Sequence, residues 1–240
     1  MSSTTALLET ASPTPLPELM RRYVERVLPD NGPIPRFSRI SQHGDMWRRR
    51  GAKPRHFTAL ESFHVDDVAF RWQARFPLGP LVTLRIDDGY RDGAGWMRGS
   101  VARVPFLHAR DDDVAFGEAL RYLAEIPWVP HAVLANRGLG WRQLDDRRVE
   151  VSTTVGTRRA AVVLEFDALA DIVRVHVDER PRTGDSPRPW TGYFTDYASF
   201  AGARIPRTAE VRWELPTGPF TYWHGHVTTF DLLQNEDVTS

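Results

Sequence analysis

Residues 68–76 alternate between two faces. Val68, Phe70, Trp72, Ala74 and Phe76 share one side, and Arg71, Gln73 and Arg75 share the other. A period of two belongs to a strand with one face on a core and one in water. Such half-buried strands are the building blocks of antiparallel sheets, so this stretch argues against a helical bundle and against a parallel α/β core. Pro77-Leu78-Gly79-Pro80 turns the chain. Val82, Leu84 and Ile86 then share a face, and the same parity reaches Asp88 and Tyr90. Further strands are predicted at residues 37–45, 56–65, 95–104, 149–155, 160–166, 172–178, 193–200, 208–215 and 221–230. Asp92-Gly93, Asp145-Asp146, Gly184-Asp185, Gly202 and Thr217-Gly218-Pro219 supply turns between them.

Two segments change period. Leu19, Met20, Tyr23, Val24 and Val27 recur at helical spacing, and Pro29-Asp30-Asn31-Gly32-Pro33 stops them. Asp111-Asp112-Asp113 places negative charge at the start of a second helix, where the dipole favours it. Val114, Phe116, Ala119, Leu120, Leu123 and Ala124 form its apolar stripe, and Pro127 is expected to end it. The fold predicted is mainly β: a curved antiparallel sheet or open barrel of about ten to eleven strands, with an N-terminal helix and one central helix. A single domain is expected over residues 14–233, after a disordered Ser/Thr/Pro-rich stretch at 1–13 and before a tail at 234–240. The first residues lack a basic segment followed by a long apolar one, and no apolar run approaches a membrane span. The expectation is a cytoplasmic chain.

Composition removes several chemistries. Lys and Arg number 31 and Asp and Glu number 31, which gives no charge surplus for a nucleic-acid partner. There is no cysteine, hence no disulfide scaffold, thiolate metal site or cysteine nucleophile. Lys53 is the only lysine and sits in the basic turn Arg48-Arg49-Arg50-Gly51-Ala52-Lys53, a poor place for Schiff-base chemistry. The preference for arginine is that of a GC-rich bacterial genome. The sequence holds no G-x-S-x-G elbow, no G-x-G-x-x-G after a strand and no phosphate-binding G-x-x-x-x-G-K-[ST] loop. No cofactor and no metal are expected, and the oligomeric state is left open.

An ordered series of short motifs runs from about residue 18 to 230. It contains Arg22-Tyr23, Phe70-x-Trp72-x-Ala74, and Arg121-Tyr122-Leu123-Ala124-Glu125 followed by Trp128-x-Pro130-x-Ala132. Pro189-Trp190-x-Gly192, Asp196-Tyr197, Ile205-Pro206, Glu210-Val211-x-Trp213-Glu214-Leu215 and Gly218-Pro219-Phe220-x-Tyr222-Trp223-x-Gly225-x-Val227 come later. This series resembles an uncharacterised bacterial family of unknown function. That family in turn looks like a distant relative of curved-sheet lipid-binding folds such as the periplasmic lipoprotein carriers. The resemblance implies a curved sheet around an apolar ligand. The chain departs from it in carrying His224 and His226 where arginine-like residues are more usual.

Five constellations carry possible chemistry. Aromatic residues concentrate on strand positions. Phe70, Trp72, Trp96, Trp128, Trp190, Trp213 and Trp223 are the candidate walls of a cavity, and a filled core would use the same side chains. Asp88 has inward parity, so it is either a buried carboxylate able to act as acid or base, or part of a bend at Asp87-Asp88-Gly89. His224 and His226 share a face with Tyr222. That pairing suits a surface role, a pocket role or part of a metal site whose third ligand would come from His176, His64 or Asp196. Arg121 and Glu125 stand four apart on a helix and are placed to pair beside Trp128 and His131, either to orient a ligand or to clamp the helix. Asp196 and Tyr197 are neighbours on a strand and point to opposite faces, so they form no dyad.

The leading expectation is binding of a hydrophobic small molecule in an aromatic-lined barrel cavity. The alternative is a cofactor-independent cyclase or isomerase in the same cavity, with Asp88, Glu125, His131, Tyr222 and His224 as acid–base candidates. A third possibility is a structural or interaction protein with a filled core.

Overall fold

The computed structural model describes residues 16–29, 32–182 and 184–235. The expectation for residues 1–13, and that for 236–240 of the tail, lie outside these. Helix α1 (Glu18–Val27) leads into strands β1 (Phe37–Met46), β2 (Arg55–His64), β3 (Phe70–Pro77), β4 (Thr83–Arg91), β5 (Ala94–Val101) and β6 (Val104–Ala109). Helix α2 (Asp112–Ala124), a 3-10 turn (Ile126–Trp128) and the short α3 (Ala132–Ala135) follow. The chain ends in β7 (Gly140–Gln143), β8 (Arg148–Val155), β9 (Arg158–Phe166), β10 (Ile172–Arg182), β11 (Asp185–Phe200), β12 (Ala203–Leu215) and β13 (Gly218–Leu233).

These strands make one 13-stranded sheet in the order β6-β5-β4-β3-β2-β1-β13-β12-β11-β10-β9-β8-β7. Every pairing is antiparallel. The chain starts in the middle of the sheet, meanders out to the β6 edge, crosses to the β7 edge, and meanders back until β13 pairs with β1. The crossing element carries α2. That helix packs on β4 and β5 from one half of the sheet and on β8, β9 and β10 from the other. One helix can touch both halves only if the sheet curls around it, and the result is a curved half-barrel with α2 in its trough.

Local sequence explains these elements. Asp111 caps α2 by accepting a 2.8 Å hydrogen bond from the Val114 amide. Glu125 closes the helix, its amide donating to the carbonyls of Arg121 and Tyr122. Strand β3 is buried at every second residue from Phe70 to Phe76, as its alternation requires. Helix α1 buries Leu19, Met20, Tyr23, Val24 and Val27 against the sheet. It is tied there by Asp171, which accepts from Arg26 at 2.9 and 3.1 Å and from Arg204 at 2.7 Å.

The strand count is higher than ten to eleven because β6 and β7 escape the sequence reading. They are the two edges of the sheet. An edge strand need not bury alternate residues, and both carry mostly exposed side chains. The turn between β5 and β6 is hidden as well. Ala102 and Arg103 take φ of 48° and 69°, a left-handed pair that glycine or asparagine would ordinarily announce. Residues 95–104, read as one strand, therefore contain a reversal. Two further corrections concern local detail. Val82 lies outside β4 and is 38% exposed. Pro127 sits within the 3-10 turn, α2 having already ended at Ala124, and α3 adds a helix that the reading lacked.

Candidate functional site

Four strands contribute one inward-facing row. Glu61 on β2 pairs with Trp72 on β3, Trp72 pairs with Asp88 on β4, and Asp88 pairs with Met97 on β5. Asp88 is thus mid-strand and buried; of the two readings of its parity, the inward carboxylate is the one realised and the bend is not. Directly opposing residues of neighbouring strands share a face, so the row presents two carboxylates on either side of an indole.

Arg121 of α2 sits over this row. Its Nη2 donates to Glu61 Oε1 at 2.7 Å, its Nη1 to Asp88 Oδ1 at 2.9 Å and its Nε to Glu125 Oε1 at 2.9 Å. Glu118, one helical turn earlier, is 4.0 Å away. Gln42 donates to the other oxygen of Glu61 at 2.8 Å. The guanidinium also lies 4.9 Å from the Phe70 ring centre and 5.2 Å from that of Trp72, a favourable placement for a delocalised cation.

One guanidinium cannot neutralise the four carboxylates around it, three of them buried. Burial pushes Glu61 well above the usual carboxylate range, and nearby Glu125 adds to the effect. Burial likewise raises Asp88 to about 6 against the pull of Arg121, and Glu118 to about 8 with help from Asp88. Burial disfavours charge on Arg121, but the surrounding carboxylates hold it protonated. The cluster therefore retains protons at neutral pH, and Glu118 is in large part a neutral acid.

The cluster forms one wall of a cavity of about 150 Å³. Trp72, Trp128, Trp190, Phe194, Tyr222 and Trp223 supply aromatic walls; Asp88, Glu118, Arg121, Glu125, Arg180 and Glu210 supply the polar groups. Trp128 meets Phe194 edge-on at 5.4 Å and Trp223 at 6.3 Å. Trp190 Nε1 donates to the Tyr222 hydroxyl at 3.0 Å. Met46, Met97, Glu210, Val211 and Tyr222 are only half-buried, so the cavity reaches the surface on their side. Trp223 can lie flat because residue 225 is glycine: a Cβ there would stand 2.1 Å from the indole. Glu118 Oε2, Glu125 Oε2 and Trp72 Nε1 are buried without a hydrogen-bond partner.

Of the candidates read from sequence, Asp88, Glu125, Tyr222, Trp72, Trp128, Trp190 and Trp223 line this cavity. The others stand elsewhere. Phe70 lies behind Arg121. Trp213 stacks on Tyr222 at 6.0 Å, supporting the wall without joining it. Trp96 packs over Gly89 and donates to Asp87 at 3.2 Å. His131 opens α3, and burial pushes it down to about 4. His224 shares a separate shallow pocket with Tyr193, Thr208 and Arg212, while His226 lies 3.2 Å from Thr208 Oγ1. Among the described residues no group of three or more His, Asp or Glu side chains is set to hold a metal ion.

Glu61, Glu118 and Arg180 were not singled out from the sequence. Glu61 had a signal, since it shares parity with Phe57, Ala59 and Phe63 and is the one carboxylate on a face that is apolar beyond Arg55 at the strand's start. Glu118 precedes Arg121 and Tyr122 by one helical turn, but α2 is buried nearly all round, so no polar face marks it. Arg180 lies on the β10 extension beyond residue 178 and reaches the cavity by stacking 4.5 Å over Trp190.

A sequence profile described as a family of unknown function, DUF6544, matches residues 6–225. No curated protein matches the chain. Among solved structures, a LolA superfamily protein from Nitrosomonas europaea is similar at 10% identity and a TM-score of 0.49, over 91% of this chain and 94% of that one. A putative outer membrane lipoprotein-sorting protein domain from Vibrio parahaemolyticus is similar at 12% identity and a TM-score of 0.49, over 92% and 93%. A DUF1329 family protein from Desulfovibrio piger is similar at 11% identity and a TM-score of 0.45, over 100% and 95%. Likenesses of this size say nothing about a ligand.

Proposed function

The chain belongs to DUF6544, a family of unknown function, and we propose that it binds a small, largely apolar molecule in the aromatic cavity of its half-barrel. The observation that carries this reading is the cavity itself, about 150 Å³ of unfilled space walled by four indoles. Well-packed interiors leave few voids larger than a water molecule. An apolar space of about this size holds one benzene-sized body. Drug-sized sites run to about 300–1,000 Å³, so the bound group is a single ring or a short branched chain, or one end of a longer molecule entering past Tyr222.

Four of the lining residues are tryptophans, so occupancy is readable by fluorescence. Native mass spectrometry of freshly purified protein is expected to show a small bound molecule, and titration with single-ring compounds is expected to shift tryptophan emission. Protein that carries no ligand and whose emission no such compound alters would overturn the reading.

A second reading is favoured by one feature. Glu118 is a carboxylic acid held largely protonated near neutrality and facing an apolar space. That arrangement suits proton donation to a bound substrate without a cofactor, as an isomerase or cyclase requires. Asp88 and Glu125, joined to it through Arg121, are the acceptors at hand. Turnover that survives separate loss of all three carboxylates would exclude it.

A further inference from the structure

The cavity wall has a surplus of negative groups. Glu61, Asp88, Glu118 and Glu125 surround Arg121, and Glu210 stands at the rim with its Oε1 accepting from Thr221 at 3.1 Å. Two cations face them. Arg121 is spent on three direct carboxylate contacts. Arg180 lies flat over Trp190 at 4.5 Å and donates to the Gly117 carbonyl at 3.2 Å. Neither makes a hydrogen bond to Glu118: Arg121 Nη1 stands 4.0 Å from its Oε2, and that oxygen is buried with no hydrogen-bond partner in a residue only 5% exposed.

A buried acceptor without a donor is costly, and aromatic faces beside it attract positive charge. An anionic ligand would meet repulsion from the surplus carboxylates. A ligand with acceptors alone could take a hydrogen bond from the Glu118 carboxyl but would bring no positive charge to the surplus carboxylates. A ligand with a cationic N–H donor and an apolar body answers both features, its body against the indoles and its nitrogen at Glu118. Resting on the cavity-binding reading above, we propose that the ligand of this cavity is an organic ammonium, a small apolar amine bound as its cation with Glu118 as its anchor.

The charge arithmetic adds a consequence. In the empty cavity Glu118 holds a proton. An ammonium at the same place supplies the positive charge instead, so binding near neutral pH expels that proton to buffer.

The probes are benzylammonium, benzyl alcohol and toluene, titrated into the full chain by calorimetry at neutral pH. Benzylammonium is expected to bind about tenfold or more tighter than benzyl alcohol, the ratio that ~1.4 kcal/mol produces. In wild-type protein its apparent enthalpy should change with the ionisation enthalpy of the buffer, which reports proton release without any variant. In Glu118→Gln the preference for benzylammonium over benzyl alcohol should disappear. Benzyl alcohol or toluene binding as tightly as benzylammonium overturns the ammonium assignment and leaves cavity binding intact. Binding by none of the three overturns both. An ammonium preference that persists in Glu118→Gln with no proton release overturns the role given to Glu118.

Discussion

Arg121 and Glu61 are 60 residues apart in sequence and meet at 2.7 Å in the trough of the half-barrel. Glu61 comes from a strand in the first meander and Arg121 from the helix that crosses to the second. Their contact, with that of Asp88, joins the sheet to α2 through a single guanidinium.

Removing that guanidinium strands its partners. Arg121→Met is expected to destabilise the fold by about 3–5 kcal/mol, because the buried Glu61 and Asp88 would lose their direct cation. The loss should shrink at acidic pH, where protonation removes the uncompensated charge. Urea unfolding at two pH values measures both effects, and an equal loss at each would contradict the electrostatic account.

Carboxylates raised by folding make stability fall with increasing pH. Glu118 rises from 4.5 to about 8 on folding, chiefly through burial. The native state then binds more protons than the unfolded state between those values, so this contribution is intact below about 4.5 and is lost progressively towards pH 8. Asp88 adds the same trend between 3.8 and about 6. The melting temperature is expected to decline from mildly acidic to mildly alkaline pH, and the decline should flatten in Glu118→Gln.

Asp171 works in the opposite direction. Burial tends to raise it, but hydrogen bonds from Arg26 and Arg204 hold it below its usual 3.8. Its stabilising contribution is present above that value and is lost as pH falls through the lower folded one. Asp171→Asn should cost about 2 kcal/mol, within the span for charge-assisted hydrogen bonds. It should also loosen α1, which hydrogen exchange along residues 18–27 would detect as faster exchange there than in the sheet.

Gly225→Ala tests the cavity wall. A methyl group at this position would lie 2.1 Å from the Trp223 ring, so the indole must leave its place. A loss of about 1–3 kcal/mol is expected from overpacking, with a shift in tryptophan emission. Gly51→Ala is the comparison: it places a methyl in open space and carries only the cost of its positive φ, 73°, so its emission should be unchanged.

Much of the sheet was legible because burial on one face writes a period of two into the sequence. Strand β3 shows this plainly, and Asp88 could be given an inward parity from Leu84 and Ile86 alone. The two edges were not legible, since exposed strands such as β6 and β7 need no alternation and the Ala102-Arg103 turn uses residues that do not announce a left-handed backbone. The Arg121–Glu125 pair was visible because four residues make one helical turn. The remaining partners were not, although Glu61 stood out as the one carboxylate on its face.

By itself the sequence determined which side chains of regularly alternating strands such as β3 face inward, because that depends on local periodicity and on the cost of exposing apolar surface. It also determined the membership of the candidate site in part: four of the six candidate indoles, Asp88 and the helical Arg–Glu pair. Only the tertiary structure decided that these groups converge. The curl of the sheet around α2 brings Glu61, Asp88 and Glu118 to one guanidinium, whereas Trp96 and His224 stand outside the cavity because each is one residue out of phase with an inward neighbour, Met97 and Trp223. Convergence of that kind depends on strand order and sheet curvature, which are global properties fixed when β13 returns to pair with β1, and no local period encodes them.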